Sequence, residues 1–140
     1  MEYADLKNKK VVVIGLGKSG VSVANFCLQQ GAQVTVTDDL PEKKLSDAMK
    51  GLSHPNIKTS LGGISAACLL QADLVVLSPG VPRSHPAIIE ILQANVPLVG
   101  EVELASWFIQ APIVGITGTN GKSTVTSLCG AIATETGRPT

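Results

Sequence analysis

Two glycine-rich runs contain the residue types that hold phosphate. The first is Gly15-Leu16-Gly17-Lys18-Ser19-Gly20, and the second, about a hundred residues further on, is Gly118-Thr119-Asn120-Gly121-Lys122-Ser123-Thr124. Glycines let main-chain N–H groups approach phosphate oxygens closely. A helix that opens behind such a loop turns its free N–H groups and its positive dipole end toward an anion. A lysine and a serine hydroxyl at these points add a charge and a metal ligand.

In the first run a GxGxxG pattern follows the apolar stretch Lys10 to Ile14 and precedes a helical pattern, the context that gives it meaning. Gly15 suits a tight turn, Gly17 the close approach of a diphosphate, and Gly20 the packing of a helix against a sheet. Lys18 and Ser19 can serve any diphosphate. Asp38 ends the next apolar stretch, eighteen residues after Gly20. In a dinucleotide fold an acid there bonds a ribose, and it could equally bond a base. The plainer reading is that the glycines form a packed turn and nothing more.

A strict phosphate loop reads GxxxxGK[ST]. Counted back from Gly121-Lys122-Ser123, its first glycine falls on Ile116, and this chain has Gly118 instead. The remainder is intact: apolar stretch, turn, Gly-Lys-Ser, helical pattern. N–H groups from Gly118 to Lys122 would wrap phosphate oxygens, Lys122 would reach the β- and γ-phosphates, and Ser123 would place its hydroxyl on Mg²⁺. The plain alternative for Lys122 is a solvated lysine in a surface turn.

The elements that must carry these loops alternate. Strands are expected at Lys10 to Ile14, Gln33 to Thr37, Ile57 to Leu61, Asp73 to Ser78, Val96 to Gly100 and Pro112 to Thr117. Helices are expected at Ser19 to Gln30, Pro41 to Met49, Pro86 to Ala94, Glu101 to Ile109 and from about Lys122 to Thr136, with Gly31 and Gly137 as terminators. Such alternation implies right-handed crossovers and a doubly wound, mainly parallel sheet, an α/β fold of Rossmann-like type. The boundary between a first domain, residues 1–110, and a second, 111–140, falls just before the last strand. Behind the second loop there is room for little more than its helix. The expectation is therefore a complete first domain joined to the opening strand, loop and helix of a truncated nucleotide-handling domain.

Composition agrees with this class. Of 140 residues 44% are apolar but only 3% aromatic, so the core must be built from Val, Ile, Leu and Ala, as in a parallel sheet buried on both faces. Eleven basic and eleven acidic residues cancel, which argues against a nucleic-acid partner. Three cysteines without CxxC spacing argue against a disulfide framework or a zinc site, and Cys27 and Cys129, in helical stretches, read as buried thiols. Residues 1–10 lack the apolar stretch of a signal peptide, and no run has the length of a membrane span. The expectation is a cytoplasmic protein with no membrane partner. His54 and His85 each precede a proline and read as solvated loop histidines.

The stretch Ala111 to Thr124, APIVGITGTNGKST, resembles the ATP loop of the Mur ligase family, in which Gly118 carries the glycine. The folylpolyglutamate synthetases share a similar loop. VVVIGLGKSG at Val11 to Gly20, LVVLSPGVP at Leu74 to Pro82 and VGEVELA at Val99 to Ala105 separate the two, and look like the D-glutamate-adding branch of the Mur ligases.

The resemblance implies a three-domain ligase of peptidoglycan synthesis, and hence of cell shape and division. Its first domain binds the UDP end of UDP-N-acetylmuramoyl-L-alanine, its central domain ATP, and its third D-glutamate. It implies a UDP site at Gly17, Lys18, Ser19, Asp38, Asp39, Ser78, Pro79 and Gly80, and an ATP site at Gly118, Thr119, Asn120, Gly121, Lys122, Ser123 and Thr124. Lys122 is then the catalytic residue and Ser123 a ligand of Mg²⁺. The family often has Asp-Thr or Asp-Ser where this chain has Asp38-Asp39, and Leu40 stands where a relative offers an arginine. Read without the family, Ser78-Pro79-Gly80 is a structural turn. The implied reaction is phosphorylation of the alanyl carboxylate and attack by the amine of D-glutamate. The full-length enzyme is expected to be a monomer. The 140-residue chain is expected to be inactive and to self-associate. The alternatives are the NAD(P)-binding domain of an oxidoreductase, resting on the first loop and Asp38, and a non-catalytic nucleotide-binding module.

Overall fold

The structure, a computed structural model, describes residues 5–137. Five strands alternate with helices: β1 (Lys10–Ile14), α1 (Lys18–Gln29), β2 (Gln33–Asp38), α2 (Glu42–Lys50), β3 (Lys58–Leu61), α3 (Ala66–Leu69), β4 (Leu74–Leu77), α4 (Pro86–Gln93), β5 (Leu98–Gly100), α5 (Glu101–Ser106) and α6 (Lys122–Glu135). The strands form one sheet in the order β3-β2-β1-β4-β5, and every pairing is parallel. The three strands β1, β2 and β4 carry the apolar runs and occupy its centre, where both faces are covered.

Side chains on the two faces of the sheet enter two separate apolar clusters. Val11, Val13, Val34, Val36, Leu74 and Val76 pack with Ala24 and Cys27 of α1, Leu45 of α2 and Leu104 of α5. Val12, Ile14, Val75 and Leu77 pack with Leu69 of α3 and with Ala87, Ile88 and Ile91 of α4. Strand β1 therefore reads as continuous apolar sequence because both of its faces are buried. The rings of Phe26 and Phe108 meet edge to face at 4.9 Å and join α1 to the segment after α5.

The strand order reverses between β1 and β4. The chain leaves β3 at one edge, crosses by way of α3, and re-enters beside β1. This is the topological switch point of a doubly wound sheet, and ligands of such sheets lie in the crevice outside the carboxyl ends of the flanking strands.

The chain divides into two compact units, Met1–Ile109 and Gln110–Thr140. In the second, the expected strand Pro112 to Thr117 is absent: residues 112–118 have no regular structure. A strand exists only through its ladder partners, and this unit presents none among the described residues. Helix α6 forms, but none of its residues is buried, so Cys129 is an exposed thiol and not a core residue. α3 has no counterpart in the expected elements, and α5 is shorter than expected, ending at Ser106.

Candidate functional site

The carboxyl ends of β1, β2 and β4 bring three sequence-predicted stretches together. The turn after β1 is held from both sides: the N–H of Gly15 donates to the carbonyl of Thr37 at 2.8 Å, and that of Ser78 to the carbonyl of Ile14 at 3.0 Å. Ser78 is buried, and its hydroxyl donates to the Gly15 carbonyl at 3.3 Å. Ser78-Pro79-Gly80 is thus part of the wall behind the glycine loop, with Pro79 and Gly80 exposed beyond it.

Two glycines of the loop answer to different demands. A Cβ on Gly20 would lie 1.8 Å from the carbonyl oxygen of Gly15, so the start of α1 rests directly on the turn that precedes it. Gly17 has φ −79°, and a Cβ placed there would meet nothing within 4 Å, so no protein atom requires its glycine. The space belongs to whatever approaches the loop. Gly17 is the N-cap of α1 and no side chain caps that helix, which leaves its first-turn N–H groups without a side-chain acceptor, an arrangement that favours an anion. Lys18 is exposed and Ser19 half-buried in that first turn.

Asp38 organises the loop. Its Oδ2 accepts the N–H of Leu16 at 2.7 Å and its Oδ1 the N–H of Leu40 at 2.8 Å. The carbonyl of Asp38 also accepts the N–H groups of Gly62 and Gly63. The carboxylate thus ties the turn after β1 to the turn after β2, and each oxygen retains a lone pair for a ligand hydroxyl or N–H. Asp39 turns elsewhere: its Oδ1 accepts the N–H of Ile64 at 3.1 Å, and its Oδ2 lies 3.5 Å from Nε2 of His85. His85 is not the solvated loop residue expected. Its Nδ1 accepts the N–H of Ala87 at 3.2 Å and caps α4, and the ring is largely covered. The pair His85-Pro86 is the signal that marks it, since Pro favours the first position of a helix and so makes the residue before it the cap.

One polar atom near this edge is unpartnered. Thr37, opposite Ile14 in the β1–β2 register, is fully buried, and its Oγ1 has no hydrogen-bond partner. A cavity of about 730 Å³ opens between α1 and α5, lined by Phe26, Leu104 and Phe108 among others. It shares Lys18 and Ser19 with the loop and is otherwise mostly apolar.

In the second unit Gly118 (φ +147°) and Gly121 (φ +77°) bend the loop, and Gly121 is the N-cap of α6, again without a side-chain cap. Thr119, Asn120, Lys122, Ser123 and Thr124 are all exposed. The Lys122 ammonium donates to the carbonyl of Gly118 at 2.6 Å, curling over its own loop. Ser123 stands in the first turn of α6 with its hydroxyl available. Among the described residues no group of three His, Cys, Asp or Glu side chains could hold a metal ion. No helix among the described residues is long and apolar enough to cross a membrane.

A parallel sheet of order 3-2-1-4-5 with a glycine loop at its switch point defines a Rossmann-like, doubly wound domain. Residues 9–100 match the family described as Mur ligase MurD-like, N-terminal domain, and the chain belongs to that family. It is 46% identical over 136 residues to a UDP-N-acetylmuramoylalanine--D-glutamate ligase of Bdellovibrio bacteriovorus, covering 97% of this chain and 29% of that protein. It is 47% identical over 133 residues to the protein of the same name in Desulfatibacillum aliphaticivorans, covering 95% and 30%. Among solved structures it resembles a pseudomurein peptide ligase type C from Methanothermus fervidus, with TM-score 0.57 and 31% identity over 93% of this chain and 27% of that one. The chain spans about 30% of the length of the curated relatives it matches.

Proposed function

We propose that this chain is the nucleotide-substrate end of a ligase that joins D-glutamate to UDP-N-acetylmuramoyl-L-alanine. In this reading residues 1–110 bind the UDP moiety and residues 111–140 open an ATP-binding domain. One observation carries it: the carboxyl ends of β1, β2 and β4, where Asp38 ties the glycine loop to its neighbours, lie inside the stretch 9–100 covered by the family match. The names of the relatives supply the substrates.

The first-turn N–H groups of α1, with Lys18 and Ser19, would take the diphosphate at the point that Gly17 leaves open. Asp38 and Asp39 would offer their remaining lone pairs to the base or ribose, and the Ser78–Gly80 loop would close the far side. In the second unit the loop N–H groups from Gly118 to Lys122 would bind the phosphates of ATP, with Lys122 released from the Gly118 carbonyl to face the transferring phosphoryl group. Mg²⁺, held partly by Ser123, would offset charge on the phosphate oxygens. Transfer of the γ-phosphoryl group of ATP to the alanyl carboxylate would give an acyl phosphate and ADP, and the amine of D-glutamate would displace inorganic phosphate, losing a proton, to form the amide. The protein's part is positioning and electrostatics.

Titration of the chain with UDP, followed by amide NMR shifts, tests this reading. Shifts are expected at residues 15–20, 38–40 and 78–80, with NADH producing none of comparable affinity. Micromolar NADH binding with no response to UDP would overturn it.

A further inference from the structure

We propose that His85 is a positioning residue for the nucleotide end of the site: through Asp39 it holds the turn after β2 against the segment that follows β4, and so sets the slot for the base and ribose of a nucleoside diphosphate. The proposal rests on the reading of the first unit as a nucleoside-diphosphate domain.

The geometry of the ring leads to it. Nδ1 of His85 accepts the N–H of Ala87 at 3.2 Å, so the neutral imidazole carries its proton on Nε2. Nε2 is the atom that faces Asp39, 3.5 Å from Oδ2. The other oxygen of Asp39 is taken by the N–H of Ile64 at 3.1 Å. One carboxylate thus links the turn after β2, the loop before α3 and the start of α4. The main chain that carries the ring is fixed in turn: the His85 N–H donates to the Pro82 carbonyl at 3.1 Å, and the His85 carbonyl accepts from Ile88 and Ile89.

Asp38 and Asp39 have distinct tasks because successive residues at a strand end point to opposite faces. Asp38 reaches the glycine loop on one side, and Asp39 reaches α4 on the other. Strands β2 and β4 flank β1, so a link between the segments that follow them spans the crevice at the switch point. The Asp39 side chain is 58% exposed, with Oδ1 bonded to Ile64 and Oδ2 facing His85 at 3.5 Å, so it still presents lone pairs outward. Moving it would move the acceptors that a base or ribose would meet.

A helix cap alone would explain the Ala87 contact but not the Asp39 contact, and His85→Asn separates the two. Asparagine caps a helix well but is too short to serve Ala87 and Asp39 together. The experiment is calorimetric titration of the 140-residue chain with UDP, for the wild type, His85→Asn, Asp39→Ala and the double variant, with thermal midpoints and ring ¹⁵N NMR alongside.

His85→Asn is expected to keep the midpoint of the wild type and to weaken UDP binding roughly tenfold, and the double variant to bind no worse than Asp39→Ala alone. The ring should show the Nε2–H tautomer, with its Nε2 resonance moving in Asp39→Ala. Wild-type UDP affinity in His85→Asn, losses that multiply in the double variant, or an Nε2 resonance indifferent to Asp39→Ala would each overturn the proposal. A wild-type chain that takes up no UDP would overturn the nucleotide reading, and the positioning role with it. That outcome is distinct from failure of His85 alone, in which the wild type and His85→Asn bind UDP equally well.

Discussion

The N–H of Leu16 donates to Oδ2 of Asp38 at 2.7 Å, so the turn after β1 takes its shape from a carboxylate that ends β2, twenty-two residues along the chain. The second oxygen, bonded to the N–H of Leu40, ties the same carboxylate to the turn after its own strand. Asp38→Ala leaves two amides without their acceptor, and hydrogen bonds to charged groups are worth ~1.5–3 kcal/mol each. With solvent able to reach the half-buried site, the expected loss in urea unfolding is about 1–3 kcal/mol, accompanied by loss of UDP binding. A variant of unchanged stability that had lost only UDP affinity would mean that Asp38 serves the ligand and not the loop.

Gly17 and Gly20 should respond in opposite ways to the same change. Gly20→Ala forces a methyl onto the Gly15 carbonyl, main chain against main chain, and should cost upward of ~3 kcal/mol or prevent folding. Gly17→Ala meets no protein atom and should cost no more than about 1 kcal/mol, from the poorer helix cap. It should nonetheless weaken UDP binding strongly, because the methyl occupies the diphosphate's approach. Equal destabilisation in the two variants, measured by denaturant melts, would refute this division.

Thr37→Val removes a buried hydroxyl that has no partner and keeps the branched shape a central strand favours. It should raise stability by about 1 kcal/mol, at the low end of the cost of an unsatisfied buried polar atom. A drop in stability would reveal a bridging water at that hydroxyl.

Burial pushes the Cys27 thiol up from 9.0 to about 12. Between those values the unfolded chain gives up the proton and the folded chain keeps it, so the contribution of the neutral thiol is intact below pH 9 and is lost as pH rises toward 12. The wild type should lose about 1.4 kcal/mol more than Cys27→Ala between pH 8 and pH 10. Native-state labelling at pH 8 should modify exposed Cys129 and spare Cys27. Parallel stability profiles for the two proteins would contradict the assignment.

Lys122→Ala should separate the two units. ATP-induced NMR shifts at residues 118–125 should disappear, because the variant lacks the charge that faces the phosphates, while UDP-induced shifts at residues 15–20 persist. In a full-length ligase carrying the same change, most of the rate should vanish. Loss of both nucleotide responses together would mean that the two loops serve one site.

The sequence alone was enough for the central strands. Lys10 to Ile14 and Leu74 to Leu77 are apolar almost without interruption because each strand is buried on both faces, and glycine spacing marked the turn after the first of them. The class of fold and the place of both glycine-rich loops follow from such local patterns. Only the tertiary structure decided what depends on partners distant in sequence. The stretch 112–117 has strand composition but no ladder, since no neighbouring strand lies among the described residues of its unit. From the sequence Asp38 could be read as a ligand for a ribose or a base, but not as the acceptor of two main-chain N–H groups, one of them from the turn after the neighbouring strand. His85 reads as a solvated loop residue; Pro86 marks it as a helix cap, but its contact with Asp39 comes only from the fold. Partners separated by tens of residues leave no periodicity, so neither the Leu16–Asp38 bond nor the Asp39–His85 contact could be read from local sequence.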